Sequence, residues 1–248
     1  MSFVEKLISI PLSILHYFFF GLILVIFWPI QWVSLKLGGY QGHKKAVDVM
    51  SFFLVGTLYL LGTRVTFRNK QDLPLDAPLI FASNHQSMHD IPALGFFLRK
   101  YHPKFVSKIE LGRGIPSISF NLRHGGSVLI DRKDAKQSLG ALMKFGKYLE
   151  DNKRSAVIFP EGTRSRDGVP KRFSENGLKM MIKKAPSSYV VPVTINNSWR
   201  IVRFGNFPLG VFDHLTFDVH EPIKSDSMPF EELFQKVEKA IKDAVIVN

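Results

Sequence analysis

Two runs of apolar residues open the chain, and both have the length of a helix rather than of a strand. Residues 7–33 form the most hydrophobic stretch. A helix that spans a bilayer needs about 20 predominantly apolar residues. This stretch is long enough, but Pro11, His16 and Pro29 interrupt it and leave a shorter uninterrupted core. A second apolar run, residues 49–62, reaches only about two-thirds of a spanning length.

The segment between the two runs, KLGGYQGHKK at residues 36–45, combines glycines with lysines and predicts a turn. Two helices joined by this turn form an αα-hairpin. Trp28, Trp32, Tyr40 and Tyr59 are residue types that lie at the headgroup level of a bilayer. We therefore expect a membrane-associated hairpin, either shallowly embedded or spanning. The alternative is a hairpin buried in the protein core.

After Gly62 the pattern changes to short apolar runs that alternate with helical periodicity. The runs that resemble strands are residues 64–69, 78–84, 104–108, 127–131, 155–160, 189–195 and 215–220. Helical patterns lie at residues 90–100, 135–151, 174–185 and 229–245. Alternation of this kind predicts an α/β fold with a largely parallel mixed sheet flanked by helices. We divide the chain into a hairpin at residues 1–62 and an α/β domain at residues 63–248.

Polar motifs follow three of the predicted strands. They read SNHQSMHD, DRKD and EGTRSR in chain order. In open parallel sheets, ligands bind beyond the carboxyl ends of the strands. The three motifs are therefore expected to share one edge of the sheet and to form the functional site.

The first motif allows three interpretations. His85 and His89 have the i, i+4 spacing of zinc ligands, but there is no H-E-x-x-H motif and no evident third ligand. His85 and Asp90 would diverge by about 140° on a continuous helix. They can meet only if His85 lies in a strand-to-helix turn and Asp90 lies in the first helical turn. Asp90 could then accept a hydrogen bond from Nδ1 of His85, which would leave Nε2 free as a base. A capped helix start without chemistry is the third interpretation.

A base in this chain would act on a substrate hydroxyl or on water, because no protein nucleophile is evident. The chain has no cysteine and no G-x-S-x-G sequence. Cationic side chains follow the other strands: Lys108, Arg132 and Arg164 suit a phosphate group. Gly162 permits a tight turn or close approach of a ligand, and Glu161 could orient an arginine or bind a hydroxyl. The alternative is a charged surface turn.

The formal net charge of +12 indicates a polyanionic partner, which could be nucleic acid, an anionic membrane surface or a phosphorylated substrate. The chain contains no recognised nucleic-acid module, and many of its aromatic residues crowd into the first sixty positions. We therefore expect a lipid bilayer as partner and no nucleic acid.

Four segments together resemble the motif blocks of the glycerolipid acyltransferases. They are NHQSMHD (84–90), GSVLIDR (126–132), FPEGTRS (159–165) and VVPV (190–193). Their order and spacing match the family over about residues 78–195, and the N-terminal hairpin resembles that of bacterial members. The closest resemblance is to members that acylate 1-acyl-glycerol 3-phosphate.

The resemblance implies that His85 is the general base and that Asp90 orients it. The acceptor hydroxyl would attack acyl-CoA or acyl-carrier protein directly, with no metal, no other cofactor and no acyl-enzyme. The residues implied to bind the lysophospholipid acceptor are Lys108, Arg132, Glu161, Gly162, Thr163 and Arg164. We expect the protein at the inner cell membrane, and the basic hairpin turn and the C-terminal tail indicate an active site on the cytoplasmic face.

One position departs from the family pattern. Relatives often carry a basic residue before the glycine that follows the third block, whereas this chain has Asn176. A lyso-lipid with another headgroup, such as an aminoacyl lipid, is therefore an alternative acceptor. A non-catalytic membrane protein with the same fold is a further alternative, against which the intact His85 and Asp90 pair argues.

Overall fold

The computed structural model describes residues 3–247. Helix α1 (Phe3–Tyr59) consists of two arms that meet at Gly39, whose φ of 55° and ψ of −148° are not helical. The left-handed φ favours glycine at this bend. The arms run antiparallel, since Nδ1 of His16 lies 3.0 Å from the carbonyl oxygen of Thr57. The predicted hairpin is confirmed, but the predicted ten-residue turn is wrong: residues 36–45 are helical except at Gly39.

The two arms of α1 bury one face and expose the other. Phe20, Leu24 and Phe27 pack with Met50 and Leu54 in a small core between the arms. The opposite face carries large exposed apolar side chains: Val4, Leu7, Ile8, Ile10, Ile14, Leu15, Phe18, Phe19, Leu22, Val25, Ile26, Trp28, Ile30, Trp32, Val33, Leu37, Val49, Phe52, Phe53 and Tyr59. Within the described residues, α1 is one helix that meets the length and composition for crossing a membrane. An exposed apolar face of this size indicates membrane association.

Eight strands within residues 3–247 form one sheet, in the order β1-β7-β6-β2-β5-β3-β4 with β8 beside β6. Their bounds are β1 (Arg64–Asn69), β2 (Leu79–Ser83), β3 (Pro103–Lys108), β4 (Val128–Ile130), β5 (Ser155–Ile158), β6 (Tyr189–Asn196), β7 (His214–Val219) and β8 (Ile223–Lys224). All neighbours pair in parallel except at the two contacts of β6 with β7 and β8. The predicted largely parallel mixed sheet is confirmed. Strand β8 was not predicted, because two residues are too short to show alternation.

In the part of the chain that the structure describes, five shorter helices accompany the sheet. They are α2 (Asp90–Phe97), α3 (Ile118–His124), α4 (Ala135–Asn152), α5 (Asn176–Ile182) and α6 (Phe230–Asp243). All except α3 overlap the predicted helical patterns. Asp134 caps α4 through the backbone N–H of Gln137, the arrangement typical of a helix start. A 3₁₀ turn (Ser198–Val202) follows β6 and contributes to the site described below.

Two hydrophobic cores cover the sheet. The first joins the end of α1 to α2 and the sheet, and it includes Leu58, Leu61 and Leu94. The second lies under α4, α5 and α6. All five residues of β2 are buried, as expected for a central strand covered on both faces. Because Val55 and Leu58 belong to the core of the α/β part, the second arm of α1 also supports the sheet. The division at residue 62 stays a prediction.

Candidate active site

The first polar motif forms the connection from β2 to α2, and Asn84 fixes where this connection begins. The side-chain amide of Asn84 donates to the carbonyl oxygen of Ile195 at 2.8 Å, and its oxygen accepts from the Ile195 backbone N–H at 2.7 Å. Ile195 lies near the end of β6, the parallel neighbour of β2. These two hydrogen bonds therefore join the carboxyl end of β2 to that of β6.

His85 and Asp90 meet across this turn. Nδ1 of His85 lies 2.8 Å from Oδ2 of Asp90, with His85 in the turn and Asp90 as the first residue of α2. Because a carboxylate can only accept, Nδ1 carries the proton and Nε2 is the basic nitrogen. Within the described part of the chain, Nε2 makes no hydrogen bond to protein. This is the arrangement that the i, i+5 spacing required for an acid–base pair.

Asp90 is fully buried and accepts hydrogen bonds at both of its oxygens. Oδ2 accepts from His85 and from the backbone N–H groups of Gln86 at 2.7 Å and Ser87 at 2.9 Å. Oδ1 accepts from the hydroxyls of Ser87 at 3.3 Å and of Ser198. Burial alone would raise the pKa of Asp90, but the donors from His85, Ser198 and Ser87 outweigh burial and hold it below its ordinary value. Asp90 is therefore a carboxylate at neutral pH.

Ser198 and Gln86 support this carboxylate, and neither was predicted from the sequence. The Gln86 side-chain oxygen accepts from the Ser198 backbone N–H at 2.9 Å, and the hydroxyls of Ser87 and Ser198 lie 2.6 Å apart. Ser198 opens the 3₁₀ turn after β6. The only signal in the sequence was its place just beyond a predicted strand, at the edge where the polar motifs gather.

The ring of His85 packs on Phe159, the residue after β5. The two ring centroids lie 4.0 Å apart at an interplanar angle of 18°. The His85 side chain is 15% exposed, so part of the imidazole remains reachable from outside. Phe159 and Asp90 together fix the plane and the tautomer of the ring.

Glu161, in the loop after β5, is buried and joins two backbone segments. Its Oε1 accepts from the His85 backbone N–H and its Oε2 from the Lys171 backbone N–H, each at 2.8 Å. Burial raises the pKa of Glu161, and these hydrogen bonds oppose the rise. Within the described residues Glu161 forms no ion pair with an arginine, and the arginine-orienting role considered above stays a prediction. Its role in binding the acceptor stays a prediction.

The loop after β4 reaches the loop after β5 through Arg132. Its Nη1 donates to the carbonyl oxygen of Gly162, whose φ of 67° is strained for other residues. Lys108 is the last residue of β3 and pairs in register with Ile130 at the end of β4. Its exposed side chain therefore lies at the same edge of the sheet.

Thr163 and Arg164, in the loop after β5, are also exposed. The side chains of Lys108, Thr163 and Arg164 make no hydrogen bond to one another or to His85 within residues 3–247. Their phosphate-binding roles stay predictions.

His89 faces helix α1 rather than His85. Its ring is buried 5.1 Å from the ring of His16 and 5.8 Å from that of Phe20. Burial and then His16 lower the pKa of His89 to about 3, so the ring is neutral. In the described residues, no three His, Asp or Glu side chains are grouped so that they could hold a metal ion. The ring of His89 thus packs against α1, whereas that of His85 packs on Phe159.

Comparison with known proteins gives matches of three kinds. The model of the family described as "Acyltransferase" matches residues 64–196, more than half of the chain. The chain is 34% identical over 163 residues to 1-acyl-sn-glycerol-3-phosphate acyltransferase of Helicobacter pylori strain J99, covering 63% of this chain and 65% of the relative. It is 30% identical over 144 residues to the protein of the same name from Borreliella burgdorferi, covering 57% and 55%. The chain thus spans less than two thirds of these relatives' length.

Among solved structures, the chain resembles the 1-acyl-sn-glycerophosphate acyltransferase PlsC from Thermotoga maritima. The TM-score is 0.79 at 24% sequence identity, and the match covers 97% of this chain and 94% of that one. The likeness extends over the hairpin as well as the α/β part. It establishes a shared fold.

Proposed function

Because the chain belongs to the acyltransferase family, we propose that it moves a fatty acyl group from an acyl thioester to the sn-2 hydroxyl of 1-acyl-glycerol 3-phosphate, giving phosphatidic acid. The observation that carries this proposal is the His85 and Asp90 pair, with Nδ1 held by a buried carboxylate and Nε2 free. The names of the relatives support the choice of acceptor.

The proposed reaction is a direct attack of the acceptor hydroxyl on the acyl thioester. Nε2 of His85 accepts the proton of the acceptor hydroxyl while the hydroxyl oxygen bonds to the thioester carbonyl carbon. The buried carboxylate of Asp90 stabilises the imidazolium that forms. The tetrahedral intermediate then breaks its carbon–sulfur bond, and the departing thiolate takes the proton from His85. The products are the new ester and a free thiol, on coenzyme A or on acyl-carrier protein.

The acceptor phosphate is assigned to the cations at the same edge of the sheet. Arg132 is held against Gly162, and Lys108 ends the neighbouring strand β3. Arg164 follows in the same loop and provides a fork of donors suited to phosphate oxygens. Gly162, Thr163 and Glu161 would form the wall beneath the glycerol unit.

The hairpin is proposed to lie in one leaflet rather than to cross the bilayer. Helix α1 contacts the α/β part at intervals along its length: Tyr17 donates to the carbonyl oxygen of Asn206, Ser117 donates to that of Leu24, and Tyr40 contacts His102. A helix covered on one side by a polar domain cannot have lipid around it at those levels. Its exposed apolar face would instead sit in the cytoplasmic leaflet of the inner membrane.

An acyl-transfer assay on the purified protein tests the proposal. We expect the wild-type protein to acylate lysophosphatidate from acyl-CoA or acyl-carrier protein. The His85→Ala variant should lose about 10²–10⁴-fold in turnover, the range typical of a general base. His214→Ala, at an exposed histidine of β7, is the matched control. Near-normal turnover of His85→Ala would show that the base is assigned to the wrong residue.

A panel of acceptors in the same assay tests the headgroup. The panel includes a lyso-aminoacyl lipid, the alternative raised by Asn176. Asn176 is the exposed first residue of α5, and within the described residues its side chain makes no hydrogen bond to the residues of the site. We therefore expect lysophosphatidate to be the preferred acceptor, and a preference for the aminoacyl lipid would overturn this.

A further inference from the structure

A second group of cations lies at the end of the sheet opposite His85. Lys104 is the second residue of β3 and pairs with Ala156 of β5, as does Ile80 of β2. Ile80 precedes His85 by five residues. Lys104, which lies level with Ile80, is therefore about 16 Å from the level of His85 along the strand direction. Arg154 directly precedes β5. The bend of the α1 hairpin reaches this end of the sheet through Tyr40.

Five residues make up what we call the bend cluster: Tyr40, Lys44, His102, Lys104 and Arg154. The ring of Tyr40 is at its centre. Nζ of Lys104 and Cζ of Arg154 each lie 4.7 Å from the ring centroid. The Tyr40 hydroxyl lies 2.9 Å from Nδ1 of His102. Tyr40, His102 and Arg154 are half-buried, so the cluster opens to the outside.

The cluster carries more positive charge than its acidic neighbours balance. Lys44 pairs with Asp48. Lys104 is only 6% exposed, and in residues 3–247 it has neither a hydrogen bond nor a carboxylate within ion-pair distance. The Nε atom of Arg154 is buried without a hydrogen-bond partner. Burial and then Arg154 lower the pKa of Lys104 to about 8. Asp48 is an acidic side chain whose charge acts on Lys104, but its ion pair is with Lys44. Among the described residues, Lys104 and Arg154 therefore lie together without an ion pair of their own.

Buried cations in proteins are ordinarily paired or bound to a ligand, because loss of hydration is costly. Contact with the Tyr40 ring offsets only part of that cost. A group with several oxygens and a negative charge would supply the missing acceptors, and a phosphate fits both the point charge of Lys104 and the fork of Arg154. Because this observation is independent of His85, it does not rest on the proposed acyl transfer.

We propose that the bend cluster binds a phosphate group, from the headgroup of an anionic phospholipid or from free phosphate. The surroundings favour a lipid. Exposed apolar residues, including Trp32 and Leu37, lead up to the bend, and Leu37 is 85% exposed. Lipid headgroups would therefore meet the hairpin close to Tyr40, where basic residues attract anionic lipids.

The test compares Lys104→Gln with Lys45→Gln, which removes the same charge from an exposed position near the bend. Thermal unfolding of the full-length protein in detergent is measured in sodium phosphate and in sodium chloride of equal ionic strength. Binding to phosphatidylcholine vesicles, with and without phosphatidylglycerol, is measured by flotation. Arg154→Gln is a second variant of the site, should Lys104→Gln fail to fold.

If the site takes free phosphate, phosphate should raise the Tm of the wild type and of Lys45→Gln by roughly 2–4 °C, and that of Lys104→Gln by none. If the site takes only a lipid headgroup, each protein should have the same Tm in phosphate as in chloride. Lys104→Gln then loses several-fold more affinity than Lys45→Gln, and only for vesicles with phosphatidylglycerol. Equal behaviour of the site variants and Lys45→Gln in both measurements overturns the proposal.

Discussion

Replacement of Asp90 by asparagine tests whether the buried charge, and not only the orientation of His85, drives the proposed reaction. Asparagine has nearly the same size as aspartate, and its carbonyl oxygen can still accept from Nδ1 of His85. The Ser87 and Ser198 hydroxyls can rotate to accept from its amide group. The turn is therefore expected to keep its shape while it loses one negative charge.

The size of the effect follows from the distance and the burial. Asp90 is fully buried and its Oδ2 lies 2.8 Å from Nδ1 of His85. Two unit charges about 4 Å apart attract by about 4 kcal/mol at an effective dielectric constant of 20. This attraction exists only once His85 has taken the proton. We therefore expect Asp90→Asn to lower kcat by about three orders of magnitude, with little change in KM.

The assay is steady-state acyl transfer to lysophosphatidate, with Ser198→Ala as the matched comparison. Ser198→Ala removes one donor to Oδ1 and leaves the charge in place. It should lower the free energy of unfolding by about 1.5–3 kcal/mol, the contribution of a hydrogen bond to a charged group. Its kcat should fall much less than that of Asp90→Asn.

Two results would refute this reasoning. One is a kcat for Asp90→Asn within about tenfold of the wild type, because the attraction estimated above would then be largely absent. The other is an equal loss in Asp90→Asn and Ser198→Ala, which would mean that positioning alone explains the effect.

Three further results are expected. Glu161→Gln should lower the free energy of unfolding by about 1–3 kcal/mol, measured by denaturant unfolding, because the amide NH₂ would replace one carboxylate oxygen and leave the backbone N–H of His85 or of Lys171 without its acceptor. Gly162→Ala should cost about 1–2 kcal/mol in the same measurement, from backbone strain alone, since no atom lies within 4 Å of the added Cβ. The native pKa of Asp90 is lowered, so its carboxylate stabilises the fold above the ordinary carboxyl range and this stabilisation is lost as the pH falls through the native pKa. The stability difference between wild type and Asp90→Asn should thus shrink below about pH 4.

The turn that joins His85 to Asp90 was predictable because its residue types and its geometry are both local. His85 and Asp90 are at positions i and i+5. Helix geometry alone determines where each residue must lie for their side chains to meet. Ser198 was not predictable in the same way. Its contact with Asp90 spans 108 residues of sequence and depends on β6 lying beside β2. Nothing in a single sequence indicates which strand is the neighbour of β2.

The elements that differ from prediction also have local causes. Glycines and lysines at residues 36–45 are typical of a turn, but Gly39 alone changes the chain direction. Tyr40 beyond it packs on His102, and this tertiary contact holds the next residues helical despite their composition. Helix α3 has only seven residues and follows Ser117, whose φ of 59° separates it from the preceding segment. A helix that short shows too little periodicity to be recognised.

The first arm of α1 contacts both segments that hold the carboxylate of Asp90. His89, next to Asp90, is buried against His16 of α1. At the other side of Asp90, the 3₁₀ turn that carries Ser198 leads into Arg203, which pairs with Glu5 of α1 and with Asp213. Both segments that hold Asp90 thus rest on the first arm of the hairpin. In the proposed reaction, a lipid acceptor would meet His85 in a turn that the membrane-associated arm positions, and this arm would then belong to the framework of the active site.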